Sequence, residues 1–279
     1  MNLSAIVITK NAGNKIKDCL ESLKFADEVI VVDSGSTDET KEFAVNVGAK
    51  VIDVKNIGYS HSRNTGAQKA TGEWLLYIDA DERITPELKK TISVIARSPE
   101  SAEGRRGNLD SKTGLPRSAT ELAMTFQSYK IFRKNIILGH WLRHGGWWPD
   151  PVHRLIKKSA LKEWTGKLHE FPIVNGNVGL IIEPIVHLSK DSISEMVKNS
   201  RDFAPIEAKL KFKAGHPPVK VYHFILAMWR EFWQRGIVKT GWLDGWVGVF
   251  EVMYQMWHQA LVYSTLWEMQ RNKKIMSNE

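Results

Sequence analysis

The sequence predicts an α/β fold, a mostly parallel sheet flanked by helices and followed by a helical, tryptophan-rich C-terminal extension. Three observations predict it. Short apolar runs alternate with segments of helical period over the first ninety residues, a rhythm that builds parallel sheets covered on both faces. Three of those runs end in polar clusters, where ligands of such sheets bind. Six of the 11 tryptophans, Trp229, Trp233, Trp242, Trp246, Trp257 and Trp267, crowd the last fifth of the chain.

Leu3 to Thr9 (LSAIVIT) reads as a buried strand, and Ile16, Cys19, Leu20 and Leu23 follow at helical spacing. Glu28 to Asp33 (EVIVVD) is a second strand. Ser36-Thr37-Asp38-Glu39 has the S-x-x-E form of a capping box, which places a helix start there, running through Phe43, Ala44 and Val47. Lys50 to Val54 is a third strand and Tyr59 to Ala70 a third helix. Glu73 to Ile78 is a fourth strand leading into Asp79-Ala80-Asp81, and Thr85-Pro86-Glu87 supplies an N-cap, a proline at the first helical position and an acid in the first turn. Residues 98–121 lose apolar periodicity and fill with Gly, Pro, Ser and charge, as a surface insertion does. Order is expected to return at 123–132. Short strands are expected over 177–188, and helix from Ser192 onward with a break at Gly215-His216-Pro217-Pro218.

Composition excludes some classes and leaves others open. With 279 residues and 43% hydrophobic content, the chain has a real core and is not globally disordered. One cysteine excludes a disulfide framework and a thiolate-rich zinc site. The net charge of +8 is compatible with nucleic acid, phosphorylated substrates or an anionic membrane surface. No phosphate loop of the G-x-x-x-x-G-K-[ST] form is present, and no G-x-G-x-x-G follows the first strand. The N-terminus has its basic residues after its apolar stretch, the reverse of a signal peptide, so no export is expected. The charge-free run Val252 to Trp267 falls short of the ~20 apolar residues that cross a bilayer.

Asp79 and Asp81 are two apart at a strand end, which in an extended chain points both to one side. Two such carboxylates repel unless a cation lies beside them, and a hard divalent ion completes its shell with phosphate oxygens and water. The alternative is that they cap the next turn and pair with Arg83. Trp229/Trp233 and Trp242/Trp246, each spaced i, i+4, are expected to line helix faces. Interleaved with lysines and arginines, they suggest an interfacial, non-spanning membrane association, with packing against the rest of the protein as the alternative.

The runs ITKN (Ile8 to Asn11), VVDSGSTDET (Val31 to Thr40), SRNTGAQKATGEWLLYIDADE (Ser62 to Glu82) and ITPEL (Ile84 to Leu88) resemble glycosyltransferase family 2, inverting enzymes of Rossmann-like GT-A fold. KNIILGHWLRHGGWWPD (Lys134 to Asp150), Arg154-Leu155, His169-Glu170 and the RGIVKTGWLDGW segment are similar to the lipopolysaccharide-core β-1,4-glucosyltransferase-like subgroup, with PDPVHRL where that subgroup commonly has PDYQLRL. The resemblance implies a GT-A catalytic domain at 1–190, comprising a nucleotide-binding half at 1–95, the insertion at 98–121 and an acceptor half at 123–190. A helical membrane-proximal extension at 191–279 follows.

By the same resemblance, Thr9, Asn11, Asp33, Arg63 and Asp79 hold the nucleotide, and Asp79 and Asp81 bind a divalent cation, Mg²⁺ or Mn²⁺. His187 resembles a further metal ligand, against a hydrogen-bonded core histidine as the alternative. An inverting enzyme needs a carboxylate to take the acceptor's proton, and Asp150 stands ahead of Glu170 for that role. The expected reaction moves a hexose, glucose foremost, from a UDP-sugar to a lipid-linked or lipopolysaccharide-core saccharide. The expected location is cytoplasmic, peripheral on the inner face of the membrane. A non-catalytic nucleotide-sugar-binding or membrane scaffold is the alternative. Nucleic acid is not expected as a partner, because no recognised nucleic-acid module is present.

Overall fold

The computed structural model describes residues 2–13, 15–55, 58–97, 126–166 and 170–276. The expected insertion at 98–121, the start of the segment from 123, and His169 lie outside the described residues. Two compact units divide the chain. The first is Met1–Arg133 with Pro151–His187, and the second is Lys134–Asp150 with Leu188–Glu279. The tryptophan-bearing loop before Asp150 therefore belongs with the C-terminal helices.

In the first unit, β1 (Leu3–Thr9), β2 (Glu28–Asp33), β3 (Lys50–Asp53) and β4 (Trp74–Asp79) form a parallel array in the order β3-β2-β1-β4. Beyond β4 the sheet turns antiparallel through β8 (Pro151–Lys157) and β6 (Ser128–Ile137). It ends on β11 (Val178–Lys190) and β5 (Glu82–Ile84); β7 (His140–Trp141), which pairs with Ile136 and Ile137 at the end of β6, falls in the second unit. A separate antiparallel pair joins β9 (Leu161–Thr165) to β10 (Phe171–Val174). The short strands expected at 177–188 are thus one strand of 13 residues.

The period of two in the apolar runs sorts side chains onto two faces. Leu3, Ala5 and Val7 of β1, with Leu76 and Ile78 of β4, pack with Ile16, Leu20, Leu88 and Ile92. Those four residues belong to α1 (Lys15–Ser22) and α4 (Pro86–Arg97). Ile6, Ile8, Ile30, Val32 and Tyr77 face the other way, toward Ala67 of α3 (Tyr59–Lys69). That helix can lie close because Gly66 has no side chain: a Cβ there would overlap the Ile6 side chain and stand 3.3 Å from Val32. The cap before α4 forms as expected, with Thr85 Oγ1 accepting from the Leu88 amide at 3.2 Å.

The capping box expected at Ser36–Glu39 does not form. Helix α2 (Thr40–Asn46) starts later, at Thr40, with Glu39 in the N-cap position. Ser36 is diverted because its hydroxyl donates to Asp33 Oδ2 and accepts from the Asn11 amide. Asp38 accepts from the Thr40 amide at the helix start and from the Gly13 amide of the β1 turn.

In the second unit, α5 (Ile193–Lys213) is capped by Ser192, which accepts from the Glu195 amide at 3.1 Å. Helix α6 (Val221–Glu231) follows the Gly215–Pro218 break and runs into a π-helical turn, Phe232–Val238. A 3-10 turn at Gly241–Asp244 then precedes α7 (Gly245–Met276). The core of this unit includes Ala204, Ala208, Ala227, Val262, Tyr263 and Leu266. Trp242 and Trp246 do not share a helix face, since Gly245, at φ +70°, breaks the chain between them. Trp229 and Trp233 do stack, with ring centroids 6.1 Å apart. All six C-terminal tryptophans are 41–64% exposed, so they do not pack inward within this unit.

Candidate active site

The carboxyl ends of β1, β2 and β4 gather Thr9, Asn11, Asp33 and Asp79. Asn11 adopts φ +52°, a conformation asparagine tolerates better than most residues, and its Oδ1 accepts from the Thr37 amide of the neighbouring β2 turn at 2.8 Å. Asp33 is fully buried and organises the β2 turn, accepting from the Gly35 amide at 2.9 Å and the Ser36 amide at 2.7 Å. Thr9 is also buried, and its hydroxyl has no partner among the described residues.

Extended backbone stops at Asp79, and Ala80 and Asp81 form a turn into β5. The rule that residues two apart share a face therefore does not carry from Asp79 to Asp81, and the two enter different sets of contacts. Asp79 is bound from both sides. Arg63 Nη2 donates to Oδ1 at 2.8 Å, and Arg154 Nη2 donates to Oδ2 at 2.6 Å. Arg83 is not its partner and donates instead to the carbonyls of Lys15, Ala80 and Glu82.

Arg154 also donates to Glu82 Oε1 at 2.6 Å, while Glu82 Oε2 accepts from the Asp79 amide at 3.0 Å. Arg63, only 2% exposed and so no surface arginine, donates to Glu170 Oε1 at 3.2 Å and lies over the Trp164 ring. Asn64, next in sequence, clamps the same tryptophan's backbone with two hydrogen bonds. Burial alone would push the Asp79 carboxyl up. The Arg154 guanidinium, followed by Arg63, Arg133 and His187, reverses this and holds it well below the usual carboxylate range. Arg154 is shifted the opposite way: burial lowers it, but Asp79 and Glu82 raise it above the ordinary arginine value.

His187, on β11, faces Asp81 with Nε2 3.4 Å from Oδ2. Asp81 is about a third exposed at 34%, and no group of three or more His, Cys, Asp or Glu side chains converges among the described residues. Two adjacent oxygen and nitrogen donors opening to solvent fit a cation that draws its remaining ligands from substrate oxygens and water.

A cleft of about 370 Å³ opens beside Asp79, lined by Arg63, Lys130, Arg133, Arg154 and Glu170. Asp150 belongs to the second unit, where Asn135 Nδ2 donates to its Oδ2 at 2.9 Å and to the Trp147 carbonyl at 3.0 Å. Sequence reasoning missed Glu82, Lys130 and Arg133, and it knew Arg154 only through a resemblance. One signal could have found Arg154: a charge inside an apolar strand (VHRLI) must have buried carboxylates to meet.

The glycosyl transferase family 2 model matches residues 4–164, which contain this whole array of parallel strands with Arg63, Asp79 and Arg154. The chain belongs to glycosyl transferase family 2. The α/β fold is the GT-A fold of that family, with the helical region following it. An uncharacterized glycosyltransferase of Rickettsia felis is 42% identical over 97 residues, 34% of this chain and 34% of that protein. The chain thus matches about a third of that relative's length. The lipopolysaccharide core biosynthesis glycosyltransferase LpsC of Rhizobium meliloti is 22% identical over 261 residues, 88% of this chain and 85% of that protein. Among solved structures, S. aureus TarS 1–349 in complex with UDP-GlcNAc is 18% identical at a TM-score of 0.46, covering 98% of this chain and 92% of that chain.

Proposed function

We propose that this family 2 glycosyltransferase is an inverting, metal-dependent hexosyltransferase. Its donor is a UDP-sugar, UDP-glucose first, and its acceptor a lipid-linked or lipopolysaccharide-core saccharide at the cytoplasmic face of the membrane. One observation carries the reading: Asp79 and Asp81 stand at the carboxyl end of β4, beside the ends of β1 and β2 that carry Thr9, Asn11 and Asp33.

In this reading Thr9, Asn11 and the Asp33 turn receive the nucleoside. The buried Thr9 hydroxyl without a partner supports a ligand there. Asp79, kept ionised by Arg154 and Arg63, is a fixed acceptor for a ribose hydroxyl. Asp81 and His187 are the residues that would hold Mg²⁺ or Mn²⁺, with the Asp79 carboxylate committed to its arginines and acting from beside them. Such an ion, when bound, serves as a Lewis acid for the departing diphosphate.

Breaking the sugar–phosphate bond builds positive charge on the anomeric carbon, and inversion needs a base on the opposite face of the sugar. Asp150 is proposed for that step, since Asn135 orients its carboxylate through one oxygen. Glu170, held against Arg63 at 3.2 Å, is better suited to positioning that arginine.

The exposed tryptophans of the second unit support peripheral attachment to an anionic bilayer. Among the described residues no helix is long and apolar enough to cross a membrane. The test is transfer from UDP-glucose, UDP-galactose and UDP-GlcNAc to a lipid-linked saccharide fraction, with the new anomeric centre read by NMR. A product of inverted configuration is expected. A retained configuration, or no transfer from any of the three donors, overturns the reading.

A further inference from the structure

The cleft beside Asp79 is lined by Arg63, Lys130, Arg133 and Arg154 against two carboxylates, Asp79 and Glu170. Arg63 is met by Asp79 and Glu170, and Arg154 by Asp79 and Glu82. Arg133 stands 3.9 Å from Glu82. Lys130 has no acidic partner among the described residues, and it adds to burial in pushing the neighbouring His153 down to about 4, so that imidazole is neutral at physiological pH. Two buried donors, Arg63 Nη1 and Arg154 Nε, find no acceptor among the described residues. Phe171, 55% exposed, and Pro172 also line the cleft.

Neither Asp81 nor His187 lines this cleft. Arg63 and Asp79, given to the nucleotide above, do line it, so a ligand held by Lys130 would lie in the same cleft as the donor. An unpaired cation, buried donors lacking acceptors and an exposed aromatic face together suit a sugar bearing an anionic group, the ring on the aromatic and the charge on the cations.

We infer that the cleft is an acceptor subsite selective for an anionic saccharide, in which Lys130 with Arg133 takes a phosphate or carboxylate and Phe171 carries the ring. The inference rests on the glycosyltransferase reading and adds the chemical class of the acceptor.

The test is calorimetric titration of the full chain with glucose 6-phosphate, glucuronate, glucose and inorganic phosphate, with and without saturating UDP and Mn²⁺. Glucose 6-phosphate and glucuronate are expected to bind alongside UDP at least tenfold more tightly than glucose. Lys130→Gln is expected to weaken them about tenfold, the loss of one charge-assisted hydrogen bond, and Lys130→Arg to restore them, with UDP affinity changed less than twofold in both. Lys130 is partly exposed, so the substitution leaves the fold intact.

Competition between inorganic phosphate and UDP would assign the cleft to the donor's diphosphate and overturn the proposal, as would equal affinity for glucose and glucose 6-phosphate. Failure of the parent reading looks different. A chain that bound no UDP at all would remove the donor site while leaving the sugar titrations readable.

Discussion

Arg154 Nη2 stands 2.6 Å from Asp79 Oδ2, and the same nitrogen stands 2.6 Å from Glu82 Oε1, so a single guanidinium bridges the end of β4 and the start of β5. Arg154 is 4% exposed and Glu82 fully buried. Removing the cation strands buried carboxylates, a loss that costs about 3–5 kcal/mol for comparable pairs.

Arg154→Met is therefore expected to lower the melting temperature at pH 7 by about 10 °C. Asp79 adds an acid limb. Its folded pKa is depressed, so its contribution is complete above its ordinary value of 3.8 and is lost as pH falls toward the folded value. In Asp79→Asn that limb should flatten. A melting temperature within 2 °C of wild type for Arg154→Met, or an unchanged acid limb in Asp79→Asn, contradicts the network.

Glu251 in α7 gives a dependence of opposite sign. It is 2% exposed, its Oε2 lacks a partner among the described residues, and burial raises it from 4.5 to about 7 despite Gln255, Arg235 and Lys190. A carboxyl with a raised folded pKa stabilises fully below its unfolded value and loses that contribution as pH rises toward 7. Glu251→Gln should thus stabilise the protein at pH 8, by up to about 3 kcal/mol, and converge with wild type below pH 4.5. Thermal scans from pH 4 to 8 decide it. An equal effect at both ends of that range rules the linkage out.

Asp150 and Glu170 separate kinetically. Asp150→Asn should lower kcat by at least about 100-fold, the contribution of a general base, with donor KM nearly unchanged. Glu170→Gln loosens Arg63 and should raise donor KM while sparing most of kcat. The reverse assignment would show as a kcat collapse in Glu170→Gln with near-normal turnover in Asp150→Asn.

The sheet was legible because the nearly unbroken apolar runs LSAIVIT, EVIVVD and WLLYID encode strands covered on both faces, and the structure divides their side chains between two clusters with a period of two. The site was legible in part. Strand ends mark where Thr9, Asp33 and Asp79 sit, but the partners that fix Arg63 and Asp79 lie 107 and 75 residues away, at Glu170 and Arg154. No local period carries information of that range. Ser36 misled for a related reason, since a hydroxyl that could cap a helix found a stronger acceptor in the Asp33 carboxylate. The tryptophan spacing placed rings on helices without saying whether they point inward, and at Trp242 and Trp246 a single glycine of positive φ removed the shared face.

The central claim is that the end of β4 binds a nucleotide sugar with a cation held by Asp81 and His187. Its most direct test is Mn²⁺-dependent hydrolysis of UDP-sugars by wild type and by Asp81→Ala. Wild type should turn over at least one UDP-sugar only when Mn²⁺ or Mg²⁺ is present, and Asp81→Ala, folded to the same melting temperature, should lose that turnover by at least about 100-fold. Hydrolysis that survives the substitution, or that proceeds equally in excess chelator, would contradict the account.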